Sequence, residues 1–168
     1  MTVKFKYRYL IPMYLIVFLL QCTVLPQFDL FSCTPNLLLC LTVMVALRSE
    51  SFMGVILGVC AGLVQDIFFG QMIGIAALCY FCLALLIMLT KYLVYKNSAT
   101  SVLIIGAVST ITYSFLYWGI SVIMGSTYHV WYMVKMLPQL LIYNSVVFLI
   151  MHVLIRRQER KYPEDKFM

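Results

Sequence analysis

Charge is what this sequence has least of. Only 11% of its 168 residues are Asp, Glu, Lys or Arg, while 64% are hydrophobic. A soluble fold of this size cannot enclose so much apolar surface, which excludes a water-soluble globular protein and makes lipid the solvent. Length excludes more. A bilayer core about 30 Å thick takes about 20 apolar residues per helical span, so the chain has room for about six spans and none for a separate soluble domain.

Catalytic equipment is missing as well. The sequence has no H-E-x-x-H, no nucleophile with an evident base, and no second buried carboxylate to accompany Asp66, which argues against an enzyme. His129 and His152 have no Cys or carboxylate at ligand spacing beside them, so both read as solvated or interfacial, and neither a metal nor a cofactor is expected. The six cysteines, Cys22, Cys33, Cys40, Cys60, Cys79 and Cys82, mostly lie inside apolar runs, where a thiol packs as a small hydrophobe. The C-x-x-C of Cys79 and Cys82 lacks a second ligand pair and is assigned to packing. No small-x-small cleavage site follows the first apolar run, and bulky Gln21 precedes Cys22 in the lipoprotein-like Leu19-Leu20-Gln21-Cys22, so that run is expected to remain as a helix.

What is present is a series of apolar segments punctuated by turn residues and bases. The expected spans are 9–25, 36–47, 52–69, 74–94, 101–124 and 136–155, within a single domain 1–168 that ends in a basic cytoplasmic tail, 156–168. The second is short, about 18 Å at 1.5 Å per residue, before Arg48 and Glu50 interrupt it. Segments two and three are therefore compatible either with full crossing or with a re-entrant hairpin, and the position of Arg48 decides between them. Pro35 suits a first helical turn, whereas Pro138, early in the sixth span, either kinks that helix or occupies its first turn, the latter being preferred. The formal charge is +6. Its bases sit at the ends of apolar runs, as cytoplasmic anchors do, which argues against nucleic-acid binding. On this path only Lys135 of the twelve basic residues falls outside, which places both termini in the cytoplasm. Lys91 and Lys96 mark a cytoplasmic end of the fourth span. Trp118, Tyr128, Trp131 and Tyr132 suit the membrane interface.

Two features could carry function. Gly54, Gly58 and Gly62 recur every four residues, leaving one flank of the third segment without bulk; internal packing and an intermolecular interface fit equally well. Asp66 follows on roughly the same flank. A carboxylate near the bilayer centre costs about 2.5–3.5 kcal/mol, so it must face protein, water or the interface. It is either bonded by neighbours such as Gln65 near the outer end of its span, or the anchor for a partner helix.

The run Pro35-Asn36-Leu37-Leu38-Leu39, then Arg48, then Gly58-x-x-x-Gly62-Leu63-x-x-Asp66 with Gly70 and Gly74, resembles the bacterial rod shape-determining MreD family. Asn36 stands where the family pattern carries an acidic residue. The resemblance implies a non-enzymatic inner-membrane scaffold of the cell-elongation machinery. It would work with an MreC-like membrane protein and, indirectly, with MreB, RodA and a class B penicillin-binding transpeptidase in peptidoglycan synthesis. It also implies a compact all-α bundle of about six transmembrane helices, N-in and C-in, similar to the substrate-binding subunits of energy-coupling-factor transporters. That likeness supplies the alternative function, a vitamin-type transporter subunit.

Overall fold

The computed structural model describes residues 7–23, 35–49, 52–70, 72–93, 98–127 and 129–161. All regular structure among them is helical: α1 (Tyr7–Thr23), α2 (Leu37–Arg48), α3 (Met53–Phe69), α4 (Ile75–Thr90, continued by a 3₁₀ turn over Lys91–Leu93), α5 (Ala99–Ile123) and α6 (Val130–Lys161). Two stretches, Ala99–Ile123 and Val130–Arg157, are long and apolar enough to cross a membrane; the other four helices are apolar but shorter.

The shortest helix holds the centre. Leu38 through Arg48 are all buried, and α2 packs against α1, α3, α4, α5 and α6. This explains a helix that is apolar on every side: with neighbours all round, it has no polar face to present. The remaining helices pair as the hairpins α3–α4 and α5–α6. In the second hairpin, Gly106 admits the Phe148 ring so closely that an added Cβ would lie 2.5 Å from it.

A helix of twelve residues has its unsatisfied backbone ends only about 18 Å apart, so here they fall inside the bundle rather than at its surfaces. Side chains from α1, α6 and the turn after α4 meet them, together with Asn36 at the head of α2 itself. At the start, Asn36 Oδ1 accepts from Leu39 N–H at 3.0 Å, Gln21 Oε1 of α1 accepts from Leu38 N–H at 3.0 Å, and Asn144 Oδ1 of α6 accepts from Asn36 N–H at 3.1 Å. At the finish, Lys91 Nζ donates to the Ser49 carbonyl at 2.9 Å. Arg48 Nη2 lies 3.1 Å from His152 Nδ1 of α6. A guanidinium has no acceptor, so Nδ1 must be the unprotonated nitrogen of a neutral imidazole.

Several sequence expectations give way here. Lys91 was expected at a surface and His152 in a solvated or interfacial place, yet they are only 2% and 3% exposed. Hydropathy sees that each closes an apolar run; it does not see that α2 ends beside them. Pro138 is not in a first turn, because α6 begins at Val130 and encloses it; Val130 to Met133 are apolar enough to start the helix early. The same helix runs on through Lys161, so the first residues of the basic segment 156–168 are helical.

Lys91→Met keeps the length of the stem but leaves the buried Ser49 carbonyl without its donor, at a cost of about 1–3 kcal/mol. Thermal unfolding in detergent should move to lower temperature for Lys91→Met, whereas Lys96→Met provides the comparison; equal unfolding temperatures would remove Lys91 from the end of α2.

Candidate functional site

The residues singled out from sequence converge on the turn between α3 and α4. Gly74 opens α4 with φ +107° and has no side chain with which to cap it. The first N–H groups of α4 are met instead from the preceding helix. Asp66 Oδ2 accepts from Gly74 N–H at 2.9 Å and from Ala77 N–H at 3.2 Å, and Oδ1 accepts from Ala76 N–H at 3.0 Å. A carboxylate set against the positive end of a helix dipole gains from both hydrogen bonding and field. This is how a carboxylate only 2% exposed is tolerated in an apolar bundle. It is bound by backbone, not by Gln65.

The glycines make that contact possible. A Cβ on Gly62 would lie 2.5 Å from the Ala77 Cα and 2.8 Å from the Ala76 carbonyl, so the bare helix lets the start of α4 come within reach of Asp66, one turn further on. On Gly58 it would meet the Thr42 methyl of α2 at 2.7 Å, and on Gly54 the Ala46 Cα of α2 at 3.2 Å. The flank that offered itself to a partner helix is filled by α2 and α4 of the same chain. Gly70 ends α3 and its N–H donates to the Asp66 carbonyl at 2.9 Å. Leu63, on the next face, is 40% exposed, whereas Leu38 is buried in the core and Leu37 packs against it.

Beside the capped turn lies a polar relay that the sequence reading passed over. Tyr80 of α4, fully buried, reaches Asn36 Oδ1 at 2.9 Å and the side-chain amide of Gln65, which in turn meets the Tyr113 hydroxyl of α5 at 3.3 Å. The single Tyr80 hydroxyl proton is shared between two acceptors, Asn36 Oδ1 and Gln65 Oε1, while Gln65 Nε2 donates to the Tyr113 hydroxyl. Asn36 thus joins α2 to α4, and Asn144 carries the chain on to Thr110 of α5 at 3.2 Å. An Asn satisfies an N-cap as an Asp does, so the departure from the family pattern keeps the capping geometry. The one cue in sequence was polar amides and tyrosines inside apolar runs, which also suits interfacial anchoring. A notch of about 50 Å³ opens next to the relay, lined by Gln65, Asp66, Phe69, Gly70, Tyr113 and Tyr117.

The described side chains contain no group of three His, Cys, Asp or Glu able to hold a metal ion; their polar atoms join helix to helix. The class is an all-helical membrane protein whose buried polar groups set the geometry of its own bundle. The sequence model of the rod shape-determining protein MreD matches residues 3–161, and the chain belongs to that family of shape-determining membrane proteins. No curated protein and no solved structure matches it.

The contacts rank the glycines. Gly62→Ala meets backbone and should lower folded protein in membranes most; Gly58→Ala meets a methyl that can turn and should cost less; Gly54→Ala should cost least. Quantifying detergent-resistant monomer by fluorescence size exclusion tests the order, and equal yields for all three would contradict it. Asp66→Leu removes both acceptor oxygens and strands three N–H donors, whereas Asp66→Asn retains one oxygen. Losses of about 1–3 kcal/mol per stranded donor should therefore place Asn between wild type and Leu in unfolding temperature.

Proposed function

We propose that this chain is a non-enzymatic scaffold of the cell-elongation complex in the bacterial inner membrane, crossing it six times with both termini in the cytoplasm. Family membership carries the reading. Family members serve rod shape together with other shape-determining proteins; the immediate partner proposed here is an MreC-like membrane protein, with MreB, RodA and a class B transpeptidase connected through it.

Two features of the bundle support the finer points. The Ser49 end of α2 meets Lys91 while its Asn36 end meets Tyr80, so α2 runs alongside α4 for its full length. That placement of Arg48 at the Lys91 end supports crossing by α2 and α3 over a re-entrant dip. The centre of the bundle is occupied by α2, all but its first residue buried. A vitamin-binding subunit needs an enclosed site of about 300–1,000 Å³, whereas here a helix stands in the middle, which favours the scaffold over the transporter subunit.

In this reading Gly54, Gly58, Gly62, Asp66, Gly70 and Gly74 act on partners only through the shape of the bundle, and the partner meets outward-facing helix surfaces. Depletion in the native bacterium should widen and round the cells, reduce sidewall peptidoglycan incorporation, and leave an MreC-like protein copurifying with the remaining tagged chain. Normal cell shape with loss of uptake of a vitamin would replace the scaffold by the transporter subunit.

A further inference from the structure

The notch beside Asp66 brings aromatic faces together with the carboxylate of the α4 cap and the amide of the relay. Its walls are three aromatic side chains, Phe69, Tyr113 and Tyr117, with the Gln65 amide, Asp66 and Gly70. Tyr113 and Tyr117 lie with ring centroids 5.7 Å apart, and Tyr80 continues the series 5.5 Å beyond Tyr113. Aromatic faces carry negative potential and attract cations, most strongly where water is displaced.

The charge balance favours the same sign. Asp66 contributes a full negative charge, and the start of α4 offsets only about half of it. The bonds to Asp66 come from backbone N–H groups, not from a basic side chain. An anion is disfavoured because the helix N-terminus that would attract it is already taken by this carboxylate.

Size and depth narrow the cation. A volume of about 50 Å³ accepts a few water-sized groups, which suits a primary ammonium but not a trimethylammonium. The notch opens where α3 ends. With 17 residues, α3 is about 26 Å long, close to the thickness of the hydrocarbon layer, so on the six-span crossing proposed above Gly70 lies at headgroup level. The cation present at that level in bulk is the ammonium of an aminophospholipid.

We propose that the notch formed by Gln65, Asp66, Phe69, Gly70, Tyr113 and Tyr117 binds the primary ammonium headgroup of a phospholipid. The site seats a lipid on the α3–α5 face and is independent of the scaffold role.

Native mass spectrometry of the full chain, purified and then offered phosphatidylethanolamine, phosphatidylcholine or phosphatidylglycerol of matched acyl chains, tests this. Phosphatidylethanolamine should be retained about tenfold more tightly than either, a difference lying between one exposed and one fully desolvated cation–aromatic contact. Phe69→Leu and Tyr117→Leu should each shrink that ratio toward one, while Ile104→Leu, elsewhere on α5, leaves it intact. Equal retention of phosphatidylethanolamine and phosphatidylcholine, or a preference unchanged in both aromatic variants, overturns the proposal. Because the comparison of headgroups on the unaltered chain decides the first point, poor folding of a variant does not shield it.

Discussion

A twelve-residue helix at the centre of a bundle sets the terms for the rest of the molecule. Unsatisfied N–H and C=O groups are costly wherever water is absent, and α2 brings both its ends into the interior. Three surrounding helices therefore lend it polar side chains: Gln21 from α1, Tyr80 of α4 with Lys91 of the turn that follows, Asn144 and His152 from α6. The loan has a structural return. A polar group that can be satisfied in only one place fixes the rotation and depth of the helix bearing it, which dispersion between apolar helices in lipid does loosely.

The α3–α4 hairpin solves the same problem differently. Here the unsatisfied groups belong to the start of α4, and the donor of relief is a carboxylate from the helix before it. Gly62 supplies the closeness, Gly74 the left-handed turn, Asp66 the charge. None of the three works without the others: a side chain at 62 would push α4 out of reach, and a reachable helix start without Asp66 would be bare. The spacing of the motif is thus the geometry of one inter-helix cap.

Much of the helical layout was legible because it rests on local properties. Hydropathy and turn residues place α2, α3, α4 and α5 within a few residues of their ends, since polar groups at a chain reversal and apolar groups within a helix are requirements of each segment alone. The helix α6 extends beyond the expected span 136–155 at both ends, because a helix is continued by its backbone bonding and need not stop where an apolar run does. Pro138 illustrates the point: the ring is compatible with a first turn and with an interior position, and only the neighbouring backbone distinguishes them. The motif itself was legible as a unit, the glycines and Asp66 sharing a flank at four-residue spacing. What fills that flank was not, because small residues admit a helix of the same chain and a helix of another on equal terms.

The sequence by itself determined that this is an all-helical chain suited to lipid, where its turns lie, that Asp66 must have a partner, and that it resembles a family of rod shape-determining proteins. The first three follow from composition or from spacing along the chain, and the resemblance from the pattern between Pro35 and Gly74. Only the tertiary structure decided that α2 is the core rather than a deficient span, that Lys91 and His152 are interior, that Asn36 links α2 to α4 through Tyr80, and that Asp66 is met by the backbone of α4. The reason is the same in all four cases. A polar side chain in an apolar run announces that it needs a hydrogen-bonding partner, but the partner is chosen by which helix end comes within about 3 Å of it, and that is a property of packing between segments distant in the chain.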